Sequence, residues 1–126
     1  MQSIEAPLKI TLGAGFFTLI LPLKRPQSMI ERHWKGIAKT QAAGNYIQHL
    51  QTKTFPHLSG LAGFIKASIL KRSVDKGVEF LIVTVWESID SIKAFAGEQV
   101  EVANVPPEAR EMMVEFEPKA RHYEVV

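Results

Sequence analysis

Six side chains in this sequence are of types that could carry out chemistry: Arg32, His33 and Trp34 in one run, Trp86 alone, and His122 with Tyr123 near the C-terminus. An imidazole titrates close to neutrality, so His33 and His122 are candidate general bases. A guanidinium can grip an anion through several parallel N–H groups, which makes Arg32 a candidate for holding an anionic substrate. Trp34, Trp86 and Tyr123 supply the flat walls of an aromatic site. Each also has a plain structural reading. Indoles fill the layer between a sheet and its helices, and a histidine is often satisfied at a strand edge or a subunit interface. Arg32 could pair across the sheet with Glu79 or Glu124, and Tyr123 could simply pack.

Other chemistries are disfavoured by residue type or spacing. The chain has no Cys, which removes thiolate nucleophiles, thiolate metal sites and disulfides, and fits a reducing, cytoplasmic setting. His49 and His57 stand eight apart across Pro56, which is not the spacing of a ligand pair on one helix face, so no metal is expected. Gly13 and Gly15 lack the third glycine of a dinucleotide-binding loop. Met112 and Met113 read as core or interface. The pI near 9.0 invites a nucleic-acid reading. Three of the 15 basic side chains and one of the 13 acidic ones lie in residues 1–28, however, which leaves twelve of each for the rest. A neutral body without a basic, aromatic-studded face argues against nucleic acid.

These residues must be positioned by strands and helices, and the organising stretch is 78–97, VEFLIVTVWESIDSIKAFAG. Its first half places Phe80, Ile82, Thr84 and Trp86 on one face and Leu81, Val83 and Val85 on the other. A strand apolar on both faces must be covered on both. From Ser88 the period becomes helical: Ile89, Ile92, Phe95 and Ala96 share a stripe, with Ser88 as N-cap and Gly97 as stop. Upstream, residues 30–37 read as a strand with polar and aromatic groups on both faces. Residues 42–54 read as a helix carrying Tyr46, Ile47 and Leu50, limited at Phe55 by Pro56. Residues 63–72 form a second strand, joined to 78–86 by the turn SVDKG. Downstream, Pro106 and Pro107 open a short helix whose buried side is Met112, Met113 and Phe116, ended by Pro118, and residues 120–126 form a fourth strand.

The order β, α, β, β, α, short α, β predicts an α+β, ferredoxin-like fold: a four-stranded antiparallel sheet with both crossover helices on one face. The helices cannot cover the other face, so a second copy is the simplest lid, and a homodimer follows as an expectation. Residues 1–28 stand apart as an irregular N-terminal extension to a domain spanning 29–126. Their apolar run at 10–23 is 14 residues long, shorter than the roughly 20 needed for a transmembrane helix. A loose tail, an added strand or partner arm, and a membrane anchor remain open for it, with a membrane the least favoured.

IERHWKG, PHLSGLAGF, VTVWESIDSIKAFAGE, VANVPPEAR and the terminal RHYEV, taken together, resemble the antibiotic biosynthesis monooxygenase domain family over residues 29–126. The resemblance implies a dimeric α+β barrel, in agreement with the pattern above. It also implies a possible activity: cofactor-independent oxygenation of a small aromatic or phenolic compound in a pocket between sheet and helices. A base or hydrogen-bonding group turns the substrate into an electron-rich anion, cations or donors hold that anion, and the anion reduces O₂. On that view His33, His122 and Arg32 are the catalytic candidates, and Trp34, Trp86 and Tyr123 line the substrate site. Relatives that degrade haem carry an Asn on the first strand, a Trp late in the third strand and a His on the next helix. Trp86 matches that Trp, but the other two are absent here. The alternative within the same fold is a non-catalytic homodimeric module that binds a small hydrophobic molecule.

Overall fold

The computed structural model describes residues 2–5 and 28–126, so the apolar run at 10–23 lies outside the described residues. Among the described residues six strands form one antiparallel sheet: β1 (Gln2–Glu5), β2 (Ile30–Ala38), β3 (Phe64–Val74), β4 (Gly77–Trp86), β5 (Met113–Phe116) and β6 (Arg121–Glu124). Their order is β1-β3-β4-β2-β5, with β6 also paired to β2. β4 is central because it is apolar on both sides, and it pairs along its length with β2 and β3. The four strands anticipated from sequence are β2, β3, β4 and β6, and their spatial order β6-β2-β4-β3 is the ferredoxin-like one. β1 adds a further strand on the outer edge of β3.

Strand alternation divides the sheet into two faces. Phe80, Ile82, Thr84 and Trp86 face the helices, where Phe80 and Trp86 are fully buried against a core that includes Phe55, Leu58 and Ile92. Leu81 and Val83 point the other way and stay half-buried, and Leu70 and Tyr123 on that face are exposed. The helix α3 (Ile89–Ala96) starts where the sequence placed it. Ser88 Oγ accepts from the Ser91 N–H at 3.2 Å and Ser91 Oγ accepts from the Ser88 N–H at 3.2 Å, a reciprocal capping box. Gly63, at φ +87°, lies so close to this first turn that a Cβ there would fall 2.3 Å from Ser91 Cβ. Both its backbone conformation and its neighbour therefore require glycine.

Two elements differ from the sequence reading. The helix at 43–59 does not stop at Phe55: α1 (Ala43–His49) runs through a π-helical turn (Leu50–Thr54) into α2 (Phe55–Ser59). Pro56 has no N–H and its ring would clash with the carbonyl four residues back, and the wider π turn accommodates it without breaking the rod. The second difference follows Pro107. The helix α4 (Pro107–Arg110) is one turn long, and Met113–Phe116 is strand β5 on the edge of β2. A bulge lets Met113 pair with Ala38 while Phe116 pairs with Gly36. Both side chains thus reach the helix-side face at a spacing of three, which in sequence mimics a helical stripe.

Replacing Ser88 with Ala removes the cap of the helix beside the core. It should lower stability by about 1 kcal/mol, read as a lower urea midpoint at unchanged slope; an unchanged midpoint would show that the cap contributes nothing.

Candidate functional site

A cavity of about 80 Å³ lies between the sheet and the helices. Its floor is Arg32, Trp34, Ile82 and Thr84 from β2 and β4. Its opposite wall is the rod from Tyr46 to Leu58, and its rim is the segment 103–106. The arrangement follows from strand alternation: Arg32 and Trp34 are two apart on β2, and Arg32 stands opposite Thr84 while Trp34 stands opposite Ile82.

Arg32 is the unusual member. It is only 4% exposed, and it forms no ion pair with a carboxylate among the described residues. Its Nη1 donates to the Val100 carbonyl and lies 2.9 Å from His122 Nε2, and its Nη2 reaches the Val102 carbonyl at 3.4 Å. The guanidinium lies 5.7 Å from the centre of the Phe95 ring. Burial lowers its pKa to about 10, opposed by the field of Glu101. A guanidinium has no acceptor, so His122 Nε2 must accept from Arg32 and carry its own proton on Nδ1. The imidazole is held neutral: burial first, and the Arg32 charge second, push its pKa down, with Glu101 opposing.

Trp34 donates from Nε1 to the Glu117 carbonyl at 2.9 Å and forms part of the cavity floor. Trp86 is fully buried and does not line the cavity. Its Nε1 donates to Thr84 Oγ1 at 2.9 Å, its ring meets Phe64 edge-on at 5.3 Å, and it stacks on Phe95 at 6.1 Å. It therefore supports the cavity from behind.

Of the six residues singled out in the sequence, the structure brings Arg32, His122 and Trp34 together, with Trp86 behind them. It does not bring His33 and Tyr123 there. Both lie on the opposite face of the sheet, where His33 Nε2 is 2.7 Å from Glu31 Oε1 and its ring is 5.0 Å from Tyr123. The cross-sheet pairing of Arg32 with Glu79 or Glu124 is also corrected. Glu79 sits opposite Ile37 on the other face and is held by Arg72 at 2.8 Å, and Glu124 sits opposite Ile30.

Sequence reasoning passed over Tyr46, His49 and Phe95, all of which line the cavity. Tyr46 and His49 are buried and stack at 6.4 Å, and Tyr46 meets Phe80 edge-on at 5.0 Å. Burial pushes the Tyr46 hydroxyl well above the usual phenol range, so it stays protonated. The signal lies in the spacing: Tyr46, His49 and Leu50 share one helix face at i, i+3 and i+4, a pattern that the test of His49 and His57 as a ligand pair does not read. Among the described residues no group of three His, Asp or Glu could hold a metal ion, and no helix is long and apolar enough to cross a membrane.

No family model matches this chain, and no curated protein matches it either. Solved structures do. A Bacillus cereus protein provisionally named an antibiotic biosynthesis monooxygenase superposes with a TM-score of 0.55 at 16% identity, covering 78% of this chain and 92% of its own. A protein of the same provisional name from Chloroflexus aurantiacus gives 0.51 at 18% identity, covering 79% and 94%. A Streptomyces coelicolor monooxygenase, from the gene ActVA-Orf6 and in complex with nanaomycin D, lies further off at 0.49 and 12%. The chain thus has the α+β, ferredoxin-like fold of structures named for the antibiotic biosynthesis monooxygenases, and the resemblance read from its motifs holds at the level of fold.

The His122 environment sets a pH dependence. Its native pKa lies below the ordinary value of 6.5. The stability that depends on its neutral form is therefore complete above about 6.5 and is lost as pH falls from there through the depressed native value. Melting temperature should fall over that window in the native protein, and fall less steeply in His122→Gln; parallel curves for the two proteins would remove His122 from the account.

Proposed function

We propose that the cavity binds a small aromatic compound as its phenolate or enolate and lets it react with O₂ without a cofactor. The observation that carries this reading is Arg32: a buried cation that forms no ion pair among the described residues, with Glu101 acting on it only through its field, on the floor of a largely apolar cavity. Removing a charge from water is costly unless an opposite charge meets it, and an anionic ligand in the cavity would supply that charge. His49, on the facing wall, is the residue we assign as general base for the substrate hydroxyl. His122 acts as a positioning residue that fixes the guanidinium, and Trp34 is the surface on which the ring lies. The low identity of the solved structures transfers their fold, so the reaction rests on this local chemistry.

The reaction balances without an external reductant. A phenol and O₂ give a quinone and water: the ring C–H opposite the hydroxyl is replaced by C=O, the hydroxyl becomes the second C=O, and the second oxygen atom leaves as water. The phenolate supplies all four electrons. His33 and Tyr123 take no part in this proposal.

We also propose a homodimer joined through the open face of the sheet. Ile37, Leu70, Leu81, Val83 and Tyr123 are apolar side chains of that face, partly or largely exposed in the single chain and interleaved with Glu31, His33, Lys35 and Glu79. A second copy would cover it, as expected for a central strand apolar on both sides. Sedimentation should give twice the chain mass for the native protein and the chain mass for Leu81→Arg; a native monomer at micromolar concentration would refute the dimer.

Oxygen uptake by the purified protein, with a panel of phenols, hydroquinones and an anthrone, tests the activity. Uptake is expected with at least one of them, lower by tenfold or more in Arg32→Met and in His49→Ala and unchanged in His33→Ala. Retained ligand binding without any uptake would leave the binding module of the same fold as the correct reading.

A further inference from the structure

The size of the cavity is set by how Trp34 lies on the sheet. The indole leans along β2 across Gly36, so that a Cβ built on Gly36 would fall 2.7 Å from Trp34 Cη2 and 3.2 Å from both Trp34 Cζ3 and Met113 Sδ. Contact at 2.7 Å is closer than carbon atoms tolerate, so the absence of a side chain at position 36 is what lets the ring lie flat. Two further contacts hold it there. Nε1 donates to the Glu117 carbonyl, and Phe116 tilts against the ring at 6.0 Å. Across the cavity the wall is equally firm, since Phe55 and Leu58 are buried to 1% exposure or less.

The remaining space is small. An engineered apolar cavity of about 150 Å³ encloses benzene, and the cavity here is about 80 Å³. A single aromatic ring can therefore enter only with one edge left at the mouth, which is where the exposed lining residues Asn104 and Pro106 stand. Two or three fused rings would need Trp34 to move, and Glu117, Phe116 and the sheet beneath it hold it in place.

From this geometry we infer that Trp34, seated on Gly36, is the specificity-determining residue of the site, and that it limits the ligand to one-ring aromatic anions. The inference rests on the reading of the cavity as an anion site and adds the size class of its ligand.

Aryl carboxylates separate size from charge, because benzoate, naphthoate and anthracene carboxylate all carry one negative charge at neutral pH and differ only in ring number. Calorimetric titration of the full chain should show benzoate bound at least tenfold tighter than anthracene carboxylate. In Trp34→Leu the larger anions should gain at least tenfold, a change that misfolding cannot produce. In Gly36→Ala, which lifts the indole into the cavity, benzoate should weaken at least tenfold with no gain for the larger anions. Equal affinity for all three anions in the native protein, or an unchanged order in Trp34→Leu, would overturn the size limit while leaving the anion site intact. No binding of any of them, or benzoate affinity unaffected by Arg32→Met, would remove the anion site itself and the size limit with it.

Discussion

A buried charge that forms no ion pair among the described residues, with Glu101 acting on it only through its field, is the constraint on which the rest of this structure turns. Arg32 is placed by strand alternation on the helix side of β2, in a layer filled mostly by aromatic and aliphatic side chains, with Thr84 and His49 as the other buried polar groups among the described residues. The protein meets part of its demand with two backbone carbonyls, the Phe95 ring and a neutral His122. None of these is an anion, and the Glu101 carboxylate acts only through its field. The consequence is visible in the guanidinium itself, which burial brings down to about 10. A buried cation of this kind beside a cavity is the feature from which we propose a ligand that brings negative charge.

The same contacts fix the rim of the cavity. The carbonyls of Val100 and Val102 that receive Arg32 belong to the segment leading into residues 103–106, which is also tied to the sheet margin by the Ala103 N–H donating to Pro118 O at 2.9 Å and the Ala120 N–H donating to Glu101 O at 2.7 Å. Charge and shape are thus coupled: the residue proposed to attract an anion also holds the loop at the mouth of the cavity. Trp34 supplies the opposite limit. Its position depends on a missing Cβ two residues along the same strand, so a backbone property of Gly36 becomes a property of the site.

Much of the fold was legible because its signals are local. The doubly apolar strand β4, the Ser88 cap and the hairpin turn within SVDKG each depend on a few neighbouring residues; the first two stand where the sequence put them, and the turn narrows to Asp75 and Lys76 because β3 runs on to Val74. The two misread elements depend on context. At Pro56 the helix survives through a π turn, which composition does not announce. At Met113 a bulge imposes a spacing of three on a strand. The site was half legible for the same reason. Residue types pointed to Arg32, Trp34 and His122, but which face His33 and Tyr123 occupy depends on strand register. The contribution of the long helical rod, Tyr46 and His49, depends on a packing angle that no single motif encodes.

The central claim, that a buried Arg32 without an ion pair makes the cavity a site for aromatic anions, is tested most directly with two ligands that share one ring and differ in charge. Para-nitrophenolate and its methyl ether, para-nitroanisole, can be compared for the rise in melting temperature each gives at equal concentration and mildly alkaline pH. The account predicts a clear rise with the phenolate, little or none with the ether, and loss of that difference in Arg32→Met. Equal shifts from both ligands in the native protein, or a difference that survives in Arg32→Met, would contradict it.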